Sequence, residues 1–189
     1  MARDFMSLPE GLPVPEDDGA ADHLPGQEMP DLSLPSTSGA DIDLRQVAAG
    51  TLVLYIYPRT GTPGEPLLPG WDDIPGARGC TPESCAFRDS HADIERLGAR
   101  VHGLSGQSLA DQHEFAERVH LPYAILSDPE LELAAALGLP TFEVAGMTLY
   151  KRLTLIARRG HIEHVFYPVF PPDRNAADVI AWLEAGRSS

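Results

Sequence analysis

Only two cysteines occur in the 189 residues, and they stand close together in Gly79-Cys80-Thr81-Pro82-Glu83-Ser84-Cys85. A close thiol pair can bind metal, staple a fold or do redox chemistry. Two thiolates alone make a poor zinc site, and no His or second Cys pair stands at zinc-finger spacing. In a reducing compartment such a pair is more often reactive than structural, so redox chemistry is the stronger reading. Only a thiolate attacks, so one cysteine must be activated. Thr81 reads as a helix N-cap, Pro82 as the first helical residue and Glu83 as a first-turn acid, which predicts a helix over Pro82–Leu97. Cys80 then sits just ahead of it, where free backbone N–H groups and the positive helix end favour a thiolate. Arg78 and Arg88 add positive charge nearby. Along an intact helix, residues 80 and 85 lie roughly 8 Å apart. Disulfide Cα atoms must come within about 7 Å. A bond between the two cysteines therefore requires the first turns to unwind, which implies a helical reduced form and a locally unwound oxidised form.

The elements that must position this pair follow from hydrophobic patterning. Thr51–Tyr57 is a continuous run of β-branched, aliphatic and aromatic residues, the mark of a central strand buried on both faces. Pro58 ends it. From Arg59 to Gly79 the chain is dense in Pro and Gly. A loop of about twenty residues is unusual in a compact domain and is often functional. Trp71 and Ile74 are its candidate anchors. Strands are expected at 101–104 and 124–126, and helices at 109–119 and 130–137. A hairpin over 149–157 and 161–167 turns at Arg159-Gly160, and a helix over 176–185 closes the chain. Upstream, 29–34 and 40–44 read as short strands around a turn at 36–39. Residues 1–28, rich in Pro, Gly, Asp and Glu, read as an extended or mobile arm ahead of a domain of residues 29–189. Strands alternate with helices first, then a hairpin and a helix follow. This order suits an α/β, thioredoxin-like fold with a mixed central β-sheet flanked by helices.

Composition narrows the partners. Asp and Glu number 28 against 14 Lys and Arg, for a formal net charge of −14. Such a chain repels phosphate backbones and anionic lipid, so neither nucleic acid nor membrane is an expected partner. No stretch approaches the roughly 20 apolar residues of a spanning helix. The opening residues lack the apolar run of a signal peptide, and the expected location is the cytoplasm. His161 and His164 flank Ile162-Glu163 on an expected strand and read as solvated rather than metal-binding. Asp17-Asp18 and Asp72-Asp73 read as solvent-facing pairs, and Arg88 as structural.

Four segments together resemble the peroxiredoxins of the AhpC/TSA superfamily, most closely the bacterioferritin comigratory protein or peroxiredoxin Q branch. They are Thr51 to Gly64, Gly79 to Asp89, Val101-His102-Gly103-Leu104-Ser105 with Leu126-Ser127-Asp128, and Lys151-Arg152-Leu153-Thr154-Leu155-Ile156 with Gly160 to Phe166. The resemblance spans about residues 29–187. It implies a thiol-dependent peroxidase acting on hydrogen peroxide and organic hydroperoxides, with no cofactor. Cys80 would be the peroxidatic cysteine and Cys85 the resolving one, joined as an intramolecular disulfide that thioredoxin or a similar reductant recycles. Pro58 would shield the pocket, Thr62 would hydrogen-bond the peroxide and thiolate, and Arg152 would stabilise the thiolate and the developing charge on oxygen. A monomer or weak dimer is the expected state. The chain departs from the family pattern P-x-x-x-T-x-x-C in one place: residues 65–79 stand between Pro63-Gly64 and Cys80. Two alternatives remain on the same fold, a thiol–disulfide oxidoreductase and a non-enzymatic peroxide sensor. The usual C-x-x-C spacing of the first is absent.

Overall fold

The structure is a computed structural model that describes residues 7–187. The chain forms β1 (Ser33–Leu34), β2 (Ile42–Asp43), α1 (Leu44–Ala48) and β3 (Thr51–Ile56), then a 3-10 turn at Trp71–Asp73. Next come α2 (Cys80–Asp89), α3 (His91–Arg96), β4 (Ala99–Ser105), α4 (Leu109–Arg118), β5 (Ile125–Ser127) and α5 (Glu132–Leu137). The chain closes with β6 (Thr141–Val144), β7 (Met147–Tyr150), β8 (Leu153–Arg158), β9 (His161–Phe166), a 3-10 turn at Pro172–Arg174, and α6 (Asn175–Ala185). The main sheet has five strands in the order β5-β4-β3-β8-β9. β3 pairs in parallel with β4 and antiparallel with β8, so the sheet is mixed, as expected.

β3 sits at the centre because every residue after Thr51 is buried. Successive side chains point to opposite faces and supply two cores. Leu52, Leu54 and Ile56 face a cluster that also holds Leu24, Met29 and Leu155. Val53, Tyr55 and Tyr57 face the cluster beneath α2, α4 and α6, with Cys80, Phe87, Phe115 and Val179. Gly103 lies opposite Tyr55 in the β3–β4 register, and a Cβ there would come within 2.7 Å of the Tyr55 ring and hydroxyl. A glycine is therefore required where that tyrosine crosses its neighbour strand.

Several expected elements shift. The strand over 29–34 shrinks to β1, and the expected strand over 40–44 yields β2 and the first residue of α1, whose cap Asp43 accepts from the Gln46 N–H at 3.0 Å. The single helix expected over 82–97 is two helices broken at Ser90 (φ −96°, ψ 0°), which lets Ile94 bury in the same cluster as Phe87. The hairpin expected from Leu149 is really β8 and β9. Arg159 and Gly160 both take positive φ at its turn, the left-handed pair that matches strand twist. Met147–Tyr150 belongs instead to a separate hairpin with β6, unforeseen from sequence.

Of the expected arm, residues 1–6 lie outside the described residues, and residues 7–28 lie along the domain. Ala21, Leu24 and Met29 are buried in the core, and Gly26 N–H donates to the Ile162 carbonyl at 2.7 Å. Asp18 is exposed, as expected, and accepts from Lys151 Nζ and the Tyr167 hydroxyl, each at 2.7 Å, which hold its carboxyl well below the usual range. Among the described residues no helix is long and apolar enough to cross a membrane.

Candidate active site

α2 begins at Cys80 itself, with Gly79 as N-cap at φ +101° and no side chain capping it. The expected cap Thr81 is instead the second residue of the helix and is buried. Glycine decides the start, because it takes that φ without steric cost and Thr81 does not need to bond the backbone. The approach is also tight: a Cβ on Gly79 would lie 2.3 Å from Pro172 Cγ and 2.8 Å from Leu8 Cδ2. Gly79→Ala is therefore expected to lower unfolding free energy by about 2 kcal/mol or more, from backbone strain plus overlap. A urea midpoint equal to the wild type would refute that account.

Both cysteines are reduced and buried, and both lie in α2. Arg152 stands in the short link between β7 and β8. Its Nη2 lies 3.1 Å from Cys80 Sγ, although the two residues are distant in sequence. The Arg59 backbone also donates to the sulfur. Arg152 is 3 % exposed and every nitrogen is engaged. Nε donates to the Gly76 carbonyl at 3.2 Å, Nη2 to those of Ala77 and Arg78 at 3.3 and 3.1 Å, and Nη1 pairs with Glu83. Glu83 is wholly buried, and its other oxygen accepts from Asn175 Nδ2 at 2.9 Å. Asn175 Nδ2 also reaches Thr154 Oγ1 at 2.6 Å, which ties the start of α6 to β8.

Burial and charge pull against each other here. Burial pushes the Cys80 thiol up, against the pull of Arg152, and burial wins in this closed arrangement. The helix start expected to favour a thiolate is present, but Cys80 is 3 % exposed, and desolvation penalises charge. Burial likewise pushes the Glu83 carboxyl up, while Arg152 and Asn175 draw it down. For Arg152, burial opposes the charge, but Cys80 and Glu83 together hold it above the ordinary guanidinium value.

Cys85 sits further along the same helix, and burial pushes its thiol up as well. Between the two cysteines, Ser84 is held twice. The Tyr123 hydroxyl donates to its carbonyl at 2.9 Å, and the Tyr55 hydroxyl to its Oγ at 3.1 Å. Arg88 Nη1 donates to the Val119 carbonyl at 2.8 Å, which fastens α2 to the end of α4. Arg78 pairs with Asp72 at 3.4 Å.

A cavity of about 20 Å³ adjoins Cys80. Thr60 and Gly61 line it, whereas Thr62 lines an adjoining cavity with Glu65 and Leu68. The threonine placed beside Cys80 is thus Thr60, because the residues after Thr62 lead away before the chain returns at Gly79. Thr60 Oγ1 donates to Gln107 Oε1 at 3.1 Å, and the Thr60 backbone N–H donates to the same oxygen at 2.7 Å. Pro58 is buried and shares with Arg152 a separate cavity of about 300 Å³, bordered by Pro15, Gly76 and Lys151. Sequence reasoning missed Glu83 as a buried partner, and missed Thr60, Gln107 and Asn175. One signal was available: an arginine bound for a core requires a carboxylate, and Glu83 lies one turn after Cys80.

The family model described as Redoxin matches residues 24–180. Chloroplastic peroxiredoxin Q of Arabidopsis thaliana is 29% identical over 160 residues, which cover 85% of this chain and 67% of that protein. The crystal structure of peroxidoxin BcpB from Mycobacterium tuberculosis is 27% identical with a TM-score of 0.69, covering 86% of this chain and 97% of the other. Bacterioferritin comigratory protein of Xanthomonas campestris, studied for alkyl peroxide reduction, superimposes with a TM-score of 0.66 at 23% identity, covering 93% and 98% of the two chains. At that identity it speaks for the fold alone. The chain belongs to the redoxin family, and is a thiol peroxidase on a thioredoxin-like fold. Within that family it falls in the peroxiredoxin Q and bacterioferritin comigratory protein branch.

Proposed function

We propose that Cys80 is the attacking sulfur, Cys85 the resolving one, and Arg152 the group that stabilises charge at the reacting atoms. The observation that carries this reading is Arg152 Nη2 at 3.1 Å from Cys80 Sγ, at the first residue of a helix. The Cys80 thiolate attacks the terminal oxygen of the peroxide and the O–O bond breaks. The leaving oxygen takes up a proton and departs as water or alcohol, and Cys80 is left as a sulfenic acid. Arg152 and the helix start are donors aimed where negative charge passes from sulfur to oxygen. Burial favours the thiol in the closed site, so entry of water or peroxide removes that penalty and leaves the pull of Arg152.

The Cys85 thiolate then attacks the Cys80 sulfur, a disulfide forms and water leaves. A dithiol protein of the thioredoxin type supplies two electrons and restores both thiols. Cys80, at 3 % exposure, is a poor target for a protein disulfide, which favours a peroxidase over a thiol–disulfide oxidoreductase. The resolving thiol lies in the same chain, so a monomer or weak dimer suffices, and the cycle suits a reducing compartment such as the cytoplasm.

The disulfide requires α2 to open. The two tyrosine bonds to Ser84 resist this, at about 1 kcal/mol each, a cost within reach of local unfolding. Amides of residues 83–87 should exchange slowly in the reduced protein and fast after one equivalent of peroxide, with a monomeric disulfide product by mass. Disulfide-linked dimers on non-reducing gels, or unchanged exchange after oxidation, would overturn the intramolecular route.

A further inference from the structure

The start of α6 is docked on the start of α2 at two points. Pro172, in the 3-10 turn ahead of α6, closes over Gly79, where an added Cβ would lie 2.3 Å from its Cγ. Just beyond it, Asn175 reaches Glu83. Asn175 is the first residue of α6 and is 2 % exposed. Both hydrogens of its amide are committed: Nδ2 donates to Glu83 Oε1 at 2.9 Å and to Thr154 Oγ1 at 2.6 Å. Its Oδ1 is buried with no hydrogen-bond partner among the described residues.

Helix capping does not account for this side chain. An asparagine caps a helix from the position before the first turn, where its oxygen accepts from the backbone. Arg174 holds that position, and Asn175 Oδ1 accepts nothing. Packing does not account for it either, since an apolar residue of like shape would fill the place without a buried, unpaired oxygen. Turning the amide over would set that oxygen against the Glu83 carboxylate, so the nitrogen faces it. What the amide gains is a grip on Glu83. The other Glu83 oxygen pairs with Arg152 Nη1, and Arg152 Nη2 faces Cys80 Sγ. A continuous line of contacts thus runs from Thr154 on β8 through Asn175, Glu83 and Arg152 to the sulfur.

We propose that Asn175 is a positioning residue for oxidation of Cys80: its amide anchors Glu83, and Glu83 holds the Arg152 fork in line with the sulfur. The inference rests on Cys80 as the attacking sulfur and on Arg152 as the group that meets the developing charge. A guanidinium on a long side chain keeps one orientation only if its other nitrogens are held. The Gly76, Ala77 and Arg78 carbonyls hold Nε and Nη2, and Glu83 holds Nη1. The carboxylate makes that ion pair only while ionised. Burial pushes the Glu83 carboxyl up, and the Asn175 bond draws it down. Besides Arg152, the titratable groups whose charges bear on Glu83 are Cys80, Tyr55 and Tyr123, and burial holds both tyrosines above the ordinary phenol value. Arg174 and Asp178, beside Asn175 in the chain, pair with each other at the surface at 3.7 Å.

The test is a double-mutant cycle on the reduced full-length chain, with the second-order rate of Cys80 oxidation by hydrogen peroxide read by mass spectrometry. Asn175→Leu removes the amide donors and the unpaired oxygen together. It should slow oxidation by about 10–100-fold, the range for a displaced catalytic group. In a Glu83→Gln background the same substitution should cost about twofold or less, because the carboxylate through which it acts is already gone. Asn175→Asp changes the shape least and serves should the leucine variant not fold. Its carboxyl donates to Glu83 only while protonated, so oxidation should fall further behind the wild type as pH rises. A wild-type rate for Asn175→Leu overturns the proposal. So does an equal loss in both backgrounds, which would make Asn175 a packing residue, or an Asn175→Asp deficit that is the same at every pH. Failure of wild-type Cys80 to react with hydrogen peroxide at all is a different result, since it removes the catalytic assignment beneath.

Discussion

Cys80→Ser should abolish peroxide turnover, while Cys85→Ser should still consume one equivalent of peroxide and then stop. Serine at 80 cannot become a thiolate, and the other cysteine lies further along α2 without the Arg152 contact. Burial pushes its thiol up, and Asp89 adds to that while Arg88 and Arg118 pull against it without prevailing. On the proposed cycle, Cys85 acts only once Cys80 is oxidised. Loss of the nucleophile should cost more than 10³-fold in steady-state rate, on the scale of other nucleophile removals. The Cys85→Ser protein should accumulate a sulfenic acid at Cys80, which a dimedone adduct at that residue would register. Full turnover by Cys80→Ser, or a Cys85→Ser protein that cycles with a dithiol protein at the wild-type rate, would sink the respective assignments.

Arg152→Met should slow oxidation of Cys80 by about 10²–10³-fold, the usual effect of removing a donor from developing charge. It should also shift the pH dependence of that rate to higher pH. The sign follows from the observed pulls: burial raises the Cys80 thiol, Arg152 lowers it, and methionine keeps the first while deleting the second. The thiolate fraction at neutral pH then falls. Methionine also leaves Glu83 buried without its partner, and that carboxyl should take up a proton or cost about 3–5 kcal/mol of stability. Arg152→Lys separates the two effects. It keeps a positive charge near Glu83 but loses the planar fork that reaches Cys80 and three carbonyls together. It should fold with near-normal stability and still oxidise slowly. A lysine variant with wild-type rate and pH profile would show that charge alone, without the fork, carries the effect.

The sequence on its own determined the features that depend on neighbours along the chain. Thr51–Tyr57 could only be a strand buried on both faces, since an unbroken apolar run has no polar side for water. Arg159-Gly160 marked a turn, because few residue pairs accept two left-handed conformations as readily as one ending in glycine. The cysteine pair at a helix start was legible from caps and spacing, although the start lies at Gly79 rather than Thr81. Even the anchor Trp71 stood out, as a large apolar residue in a segment of Pro and Gly.

What tertiary structure alone decided is which residues surround the sulfur. Residues 80 and 152 meet because β3 and β8 are antiparallel neighbours, which brings the end of β3 and the start of β8 to one rim of the sheet. The bottom-up pattern of residues carries no mark of that pairing; Arg152 entered the sequence reading through the family resemblance. Glu83 has the appearance of an ordinary first-turn acid until burial of Arg152 makes it the required counter-charge. Thr60 rather than Thr62 lines the Cys80 cavity because a long segment leaves after Thr62 and returns at Gly79, and its path is set by packing on β6 and β7, not by local preference. Burial of Cys80 has the same origin. Local sequence placed it where a helix favours a thiolate, but long-range packing excluded water from it, and desolvation is a property of everything around a group rather than of its neighbours in the chain.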